Sequence, residues 1–285
     1  MKIRFLFVVI TSILSFTSCK SGAASNIAKD IDHTFGVFLG VSNNNIDKLK
    51  QYDNVAIEIE EFSKDKIDEL KNNNTKIYSY LSIGSLEKYR SYYDDYKDLT
   101  FMDYDNWPDE RWIDISNPSW KSHLINTAST FKELGSDGIF MDNFDVYYIV
   151  KEEYECSNEF QEDIYQGCKD ILKELDKLGM SLLINSGTEL LERLKDEHQD
   201  EYLNMIDWCA QETVFSSIKD YENDIFDKQN EEDKEYYLEM INMMKPYSHV
   251  LLIEYTKDIE LINEIKEYCH KENIYYYISS SISLI

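Results

Sequence analysis

Histidine is scarce in this 285-residue chain, five residues in all, and none falls near the end of a predicted strand. His33, His123, His198, His249 and His270 lie in helices, early strand positions or beside the N-terminal tether. A Ser–His–Asp relay and a histidine-bound transition metal both need imidazole at the reacting edge, and this chain offers none there. No CxxC pair or Cys/His spacing marks a zinc site. The glycine pattern contains neither GxGxxG nor a P-loop, which removes the usual nucleotide-phosphate cradles. Internal repeats and a second-domain linker are also missing. Basic residues are few, 29 against 55 acidic, for a formal charge of −26. A field of that sign repels nucleic acid and anionic polymers and attracts cations.

Long hydrophobic runs are absent as well. The longest, residues 5–14 behind Lys2 and Arg4, is short of the roughly 20 residues a membrane helix needs. It suits the core of a secretory signal. Phe16-Thr17-Ser18-Cys19 follows and resembles a bacterial lipobox, which implies cleavage before Cys19 and lipid attachment to it. Residues 1–18 are thus expected to be a lipoprotein-type signal peptide, 19–32 a tether, and 33–285 one domain. The expected location is the outer face of the cell membrane, or secretion, with membrane contact through the lipid alone. Loss of Lys2 and Arg4 leaves 27 basic residues against 55 acidic, a charge of −28. Of the four remaining cysteines, Cys156 and Cys168 are the pair close enough in sequence to suggest a disulfide in an exported protein. Cys209 sits in an apolar run and reads as a buried thiol.

Beyond residue 33, short apolar runs alternate with charged amphipathic stretches. Strands are predicted over 34–41, 54–59, 76–83, 138–142, 181–185, 205–210, 249–255 and 273–279. Helices are predicted over 44–51, 63–73, 118–134, 158–178, 188–202, 232–245 and 258–271. Ser63, Asn117-Pro118, Ser157 and Thr188 supply helix starts, and Gly135 and Gly179 supply stops. Eight strands and seven helices predict an α/β fold, a single (β/α)8 barrel. An inserted loop region, 84–117, follows strand three, and a second long segment, 215–231, follows strand six. Both leave the carboxyl ends of strands and so should hang over the active face.

That face collects polar groups. Strand two ends in Glu58, Glu60 and Glu61, strand three carries Tyr80, and strand four ends in Asp142, Asn143 and Asp145. Strand five ends in Asn185, strand six in Glu212, and strand seven in Glu254-Tyr255. Carboxylates at the mouth of a buried sheet are costly to desolvate, so their convergence points to chemistry. Two carboxylates from different strands, with Asn and Tyr around them, fit glycoside hydrolysis, in which one serves as nucleophile or base and one as acid. Asp142 and Glu212 are the expected pair, because strands four and six are alternate strands whose ends face each other. Asp142, Asn143 and Asp145 also fit an oxygen-ligand metal cluster, provided a third carboxylate converges on one ion. A barrel that binds a glycan without cutting it is the other reading. The aromatics of the first insert (Tyr89, Tyr92, Tyr93, Tyr96, Tyr104, Trp107, Trp112) suit sugar stacking or packing against the barrel.

Five blocks, IYSYLSIGSLEKYRSYY, RWIDISNPSW, LGSDGIFMDNFDVY, DWCAQETVF and LLIEYTKD, occur in an order that resembles glycoside hydrolase family 114. The similarity covers residues 33–285. It implies a (β/α)8 endo-hydrolase of α-1,4-linked galactosamine polymers that works through an acidic pair, without metal or other cofactor. By motif, the strand-four aspartate is Asp142, the second aspartate Asp145, the strand-six glutamate Glu212, and the arginine of the YR block Arg90. Asp142 and Glu212 are then the expected catalytic residues. Asp145, Asn143, Tyr80, Glu60, Asn185, Glu254, Tyr255 and Arg90 are expected to hold substrate. A deacetylated galactosamine polymer is cationic near neutral pH, which suits so acidic a protein.

Overall fold

The computed structural model describes residues 31–105 and 107–285. The signal, Cys19 and the tether up to residue 30 lie outside the described residues. Ile31 is already in the core, and Asp32 accepts a hydrogen bond from Tyr276 Oη at 2.5 Å.

Eight strands form one parallel sheet: β1 Phe35–Phe38, β2 Asn54–Ile57, β3 Lys76–Ser82, β4 Gly138–Asp142, β5 Ser181–Asn185, β6 Trp208–Glu212, β7 His249–Tyr255 and β8 Tyr275–Ser279. They are hydrogen-bonded in chain order from β1 to β8, the arrangement of a nearly closed barrel. Strands covered on both faces read as continuous apolar runs, and Gly138–Asp142 and Ser181–Asn185 are of that kind. A helix follows each of the first seven strands: α1 Ile46–Leu49, α2 Lys64–Asn72, α3 Pro118–Leu134, α4 Asn158–Asp176, α5 Thr188–Asp196, α6 Glu231–Met244 and α7 Ile259–Glu272, with shorter helical turns at Tyr93–Tyr96, Val146–Tyr148 and Asp200–Leu203. The expected α/β barrel is what the chain forms.

The caps behave largely as their residues dictate. Asn117 accepts from Ser119 N at 3.0 Å ahead of Pro118, and Ser157 accepts from Phe160 N at 3.2 Å. Gly135 closes α3 at φ 115°, a conformation open to glycine. Thr188 differs from expectation: Gly187, at φ 75°, takes the cap position instead. The helix expected over 188–202 breaks at His198, whose φ of 58° lets Gln199 N return to Leu194 O at 2.9 Å. Strand six starts at Trp208, three residues later than expected, because Leu203 and Ile206 pack into the core before it. The barrel floor is aromatic, with Phe35 against Tyr78 (5.1 Å between ring centres) and Trp208 (5.0 Å), and Trp208 against Tyr275 (5.0 Å).

The two long segments are more ordered than loops. Ser85–Glu87, Glu110–Ile113 and Thr100–Asp103 form a three-stranded antiparallel sheet, and Ser216–Asp220 pairs with Ile225–Lys228 as a hairpin. Gly84 anchors the first of them: a β-carbon there would sit 2.0 Å from Asn143 O, so only glycine lets the insert pass this close to the end of β4. Cys156, Cys168, Cys209 and Cys269 are all free thiols, so Cys156 and Cys168 are not bridged. Cys168 is buried and Cys156 donates to Val150 O at 3.3 Å. No helix among the described residues is long and apolar enough to cross a membrane.

Candidate active site

Three neighbouring strands end the same way. β4, β5 and β6 close on Asp142, Asn185 and Glu212, and the next residue of each, Asn143, Ser186 and Thr213, takes a left-handed φ of 65°, 57° and 56°. Asn tolerates this region, Ser less so, and a β-branched Thr is an outlier there. Thr213 N is held by Ile253 O at 3.0 Å and Ser186 N by Ala210 O at 2.9 Å. Each turn throws the chain sharply off the sheet directly after the side chain that points into the mouth.

Asn185 stands between the two acids. Its Nδ2 donates to Asp142 Oδ1 at 2.9 Å and to Glu212 Oε1 at 2.7 Å. With one nitrogen as their shared vertex, those two carboxylate oxygens are at most about 5.6 Å apart. The outer oxygens are held from the flanks. Tyr80 Oη donates to Asp142 Oδ2 at 3.0 Å, and Tyr255 Oη donates to Glu212 Oε2 at 2.8 Å. The result is a continuous chain from β3 to β7, Tyr80–Asp142–Asn185–Glu212–Tyr255, with no cation in it.

Burial raises both carboxyls, but the opposing effects differ. Asp142 receives Asn185, Tyr80 and the Asn143 backbone N–H, three donors that favour its charged form. Glu212 receives Asn185 and Tyr255 alone and feels the Asp142 charge, and its pKa is pushed up to about 7. Asp145, which takes Gly187 N at 3.2 Å, is also raised to about 7 by burial and by Asp142. The arrangement therefore gives the two carboxyls unequal support for their charged forms across one amide, with more donors on Asp142 than on Glu212.

These side chains line a cleft of about 520 Å³, within the usual size range of ligand sites. The two excursions roof it: Trp107 of the insert meets Tyr221 of the hairpin with ring centres 5.7 Å apart. Among the described residues, the acids lining the cleft are Glu58, Glu87, Glu110, Asp142, Asp145 and Glu212, and no Lys, Arg or His joins them. No three or more His, Cys, Asp or Glu side chains among the described residues converge as metal ligands.

The structure gathers Asp142, Glu212, Asp145, Asn185, Tyr80 and Tyr255 as expected neighbours and separates others. Asn143 lines the cleft, but its Nδ2 donates to Ser82 Oγ and Ser85 Oγ, both at 3.0 Å, and its Oδ1 accepts Tyr104 Oη at 3.3 Å. Glu60 is exposed in the turn after β2 and does not line the cleft; the strand-two acid that does is Glu58. Glu254, 0% exposed, lies behind the mouth and accepts Phe215 N (3.0 Å), Ser216 N (2.9 Å) and Ser216 Oγ (2.6 Å). It pins the chain leaving β6. Arg90 lies outside the cleft lining, pairing with Glu58 at 2.6 Å and with Glu87. Glu87, Glu110, Gln211, Tyr221 and Tyr237 line the cleft without having been anticipated. The alternation of the insert strands, once its hairpins are known, accounts for Glu87 and Glu110.

Residues 17–280 match the sequence pattern of glycoside-hydrolase family GH114. The fold is similar to that of the glycoside hydrolase domain of PelA from Pseudomonas aeruginosa, with 18% identity, 88% of this chain and 95% of that one covered, and a TM-score of 0.72. It is also similar to Aspergillus fumigatus Ega3 in complex with galactosamine, at 17% identity, 89% and 93% coverage, and a TM-score of 0.66. An α-galactosidase from Thermus thermophilus shares the fold more distantly, at 9% identity, 89% and 59% coverage, and a TM-score of 0.56. None of the curated proteins compared matches the chain. The chain is a glycoside hydrolase and belongs to family GH114.

Proposed function

We propose that this protein is an exported endo-glycosidase that cuts α-1,4-linked galactosamine-type polysaccharide with retention of configuration. The observation that carries the reading is the single Asn185 amide that spans Asp142 and Glu212. Carboxyls about 5–5.5 Å apart are the spacing of a direct carboxylate attack, whereas an intervening water needs a wider gap. In this reading Asp142, whose charged form three donors favour, attacks the anomeric carbon as the carboxylate and forms a glycosyl–enzyme ester. Glu212 gives its proton to the leaving glycosidic oxygen. It then takes a proton from the water that hydrolyses the ester, and Asp142 leaves as carboxylate. Tyr80, Tyr255 and Asn185 keep the pair in register, and Asp145 faces hydroxyl or amine groups of the sugar. No metal or cofactor enters the scheme.

The amino-sugar assignment is supported by the acid-only lining of the cleft and by the galactosamine held by Ega3. Export, with lipid on Cys19, is supported by the signal-like run and the cysteine behind it. Incubation with α-1,4-galactosamine oligomers tests the activity. Shorter oligomers should appear with the wild-type chain and not with Asp142→Asn or Glu212→Gln. Equal product from all three removes the assignment. Labelled lipid should enter the wild type and not Cys19→Ala.

A further inference from the structure

Glu87 and Glu110 face each other directly across two antiparallel strands of the insert. Like charges in that register are destabilising unless something positive lies between or beside them. Glu87 has such a partner in Arg90, which it shares with Glu58. Glu110 makes no direct ion pair among the described residues; Arg90, already engaged by Glu58 and Glu87, reaches it only as a more distant charge. Its contact is Ser85 Oγ, which donates to Oε2 at 2.6 Å. Ser85 Oγ also accepts from Asn143, the residue after Asp142, at 3.0 Å, so Glu110 is coupled through one hydroxyl to the strand end that carries the nucleophile. Glu110 lines the same cleft as Asp142.

A second observation concerns acceptors. Gln211 and Asn185, 3% and 4% exposed, both line this cleft. Gln211 Oε1 and Asn185 Oδ1 are buried and find no protein donor. An orphaned buried acceptor carries a desolvation cost that only a donor removes. A carboxyl without a direct ion pair and two carbonyls without donors, in a cleft lined by no basic residue, call for donor groups, and at Glu110 a primary ammonium supplies both the donor and the missing charge.

We propose that Glu110 is a specificity-determining residue that binds the ammonium of a 2-amino sugar beside the cleavage site and so selects de-N-acetylated units over N-acetylated ones. This rests on the reading of the substrate as an amino-sugar polymer. An N-acetyl group is neutral and brings its own carbonyl toward Glu110, so it leaves the carboxylate uncompensated and adds an unpaired acceptor. Burial and the neighbouring Glu87 and Asp142 push the Glu110 pKa up to about 7. An ammonium seated there favours its ionised form.

The test is calorimetric binding at pH 7 and low salt in a Glu212→Gln background, which removes turnover. An α-1,4-linked galactosamine tetramer is compared with its fully N-acetylated counterpart. Adding Glu110→Gln should weaken the amine tetramer roughly 10- to 100-fold, the loss of a charge-assisted hydrogen bond, and leave the acetylated tetramer within about threefold. Glu110→Asp, which keeps the charge on a shorter arm, should recover part of the loss, and it carries the test if Glu110→Gln melts early. An equal change for both ligands, or none for the amine, overturns the proposal. If the wild type leaves the amine tetramer uncut while Glu110→Gln still weakens its binding, the hydrolytic reading falls and the amine site stands. If the wild type cuts it and Glu110→Gln does not alter binding, the opposite holds.

Discussion

The same two strands carry acids at both ends, and the two ends of the barrel use them differently. Asp137 directly precedes β4, which ends on Asp142, and Asp207 directly precedes β6, which ends on Glu212, with the same spacing in each. At the lower end, Asp137 accepts Ile77 N at 2.9 Å and pairs with Lys71 at 2.5 Å. Asp207 accepts Leu182 N and Ser181 Oγ, both at 2.9 Å. Each lower acid thus stitches its strand to the preceding one through a backbone donor. At the upper end the acids meet hydroxyl and amide donors and each other, and no cation compensates them. A carboxylate that pairs with backbone N–H and lysine stabilises the fold. One that is buried beside another without a cation has its proton affinity raised and serves chemistry.

The sharpest way to break this contrast is at the upper end. Asp142→Asn should lower kcat by at least about 1,000-fold while the melting temperature holds or rises, because a partly buried carboxylate without a cation is removed. Unfolding and steady-state rates on one preparation check both halves. Glu212→Gln should cost roughly 10²- to 10⁴-fold, the usual worth of a general acid, with the larger loss on substrates whose leaving group needs protonation.

The pH dependence follows next. With the Glu212 pKa near 7, the acid form is lost above that point, so kcat/KM should fall about tenfold per unit on the alkaline side. On the acid side it falls as Asp142 takes up a proton. Stability should move in a related direction. Asp145 and Glu212 bind protons more tightly when folded than when unfolded, so the stability they lend is complete below about pH 4 and is lost as pH rises through about 7. Denaturant midpoints at pH 5 and pH 8 should therefore fall with pH, and Glu212→Gln should flatten the slope. At the lower end, Asp137→Ala should remove about 1 kcal/mol of stability by orphaning Ile77 N, with kcat unchanged. A kcat loss there, or a stability loss at Asp142, would blur the distinction between the two ends.

Much of this was legible from the residues. The strands at 76–83, 138–142, 181–185 and 249–255 fall where expected because burial on both faces writes an uninterrupted apolar run. Asp142, Asn185 and Glu212 were legible as strand-end polar groups. What was hidden depended on parity and on turns. In Ile253-Glu254-Tyr255 successive side chains take opposite faces, so Tyr255 enters the mouth and Glu254 cannot. Glu58 reaches the cleft and Glu60 does not, because β2 ends at Ile57 and the 3₁₀ turn that follows carries Glu60 to the surface. Arg90 carries a family motif, yet its guanidinium is spent on Glu58 and Glu87, a long-range arrangement that spacing does not reveal. The left-handed turns at Ser186 and Thr213 left no sign, since neither residue type favours that region.

The central claim is that Asp142 attacks carbon directly with Glu212 as its acid partner. Proton NMR of the anomeric signals in the first minutes of cleavage of an α-1,4-galactosamine oligomer tests it most directly. The geometry predicts that the new reducing end appears first as the α-anomer and only later equilibrates. A β-anomer as first product would contradict the direct attack and with it the role of Asp142.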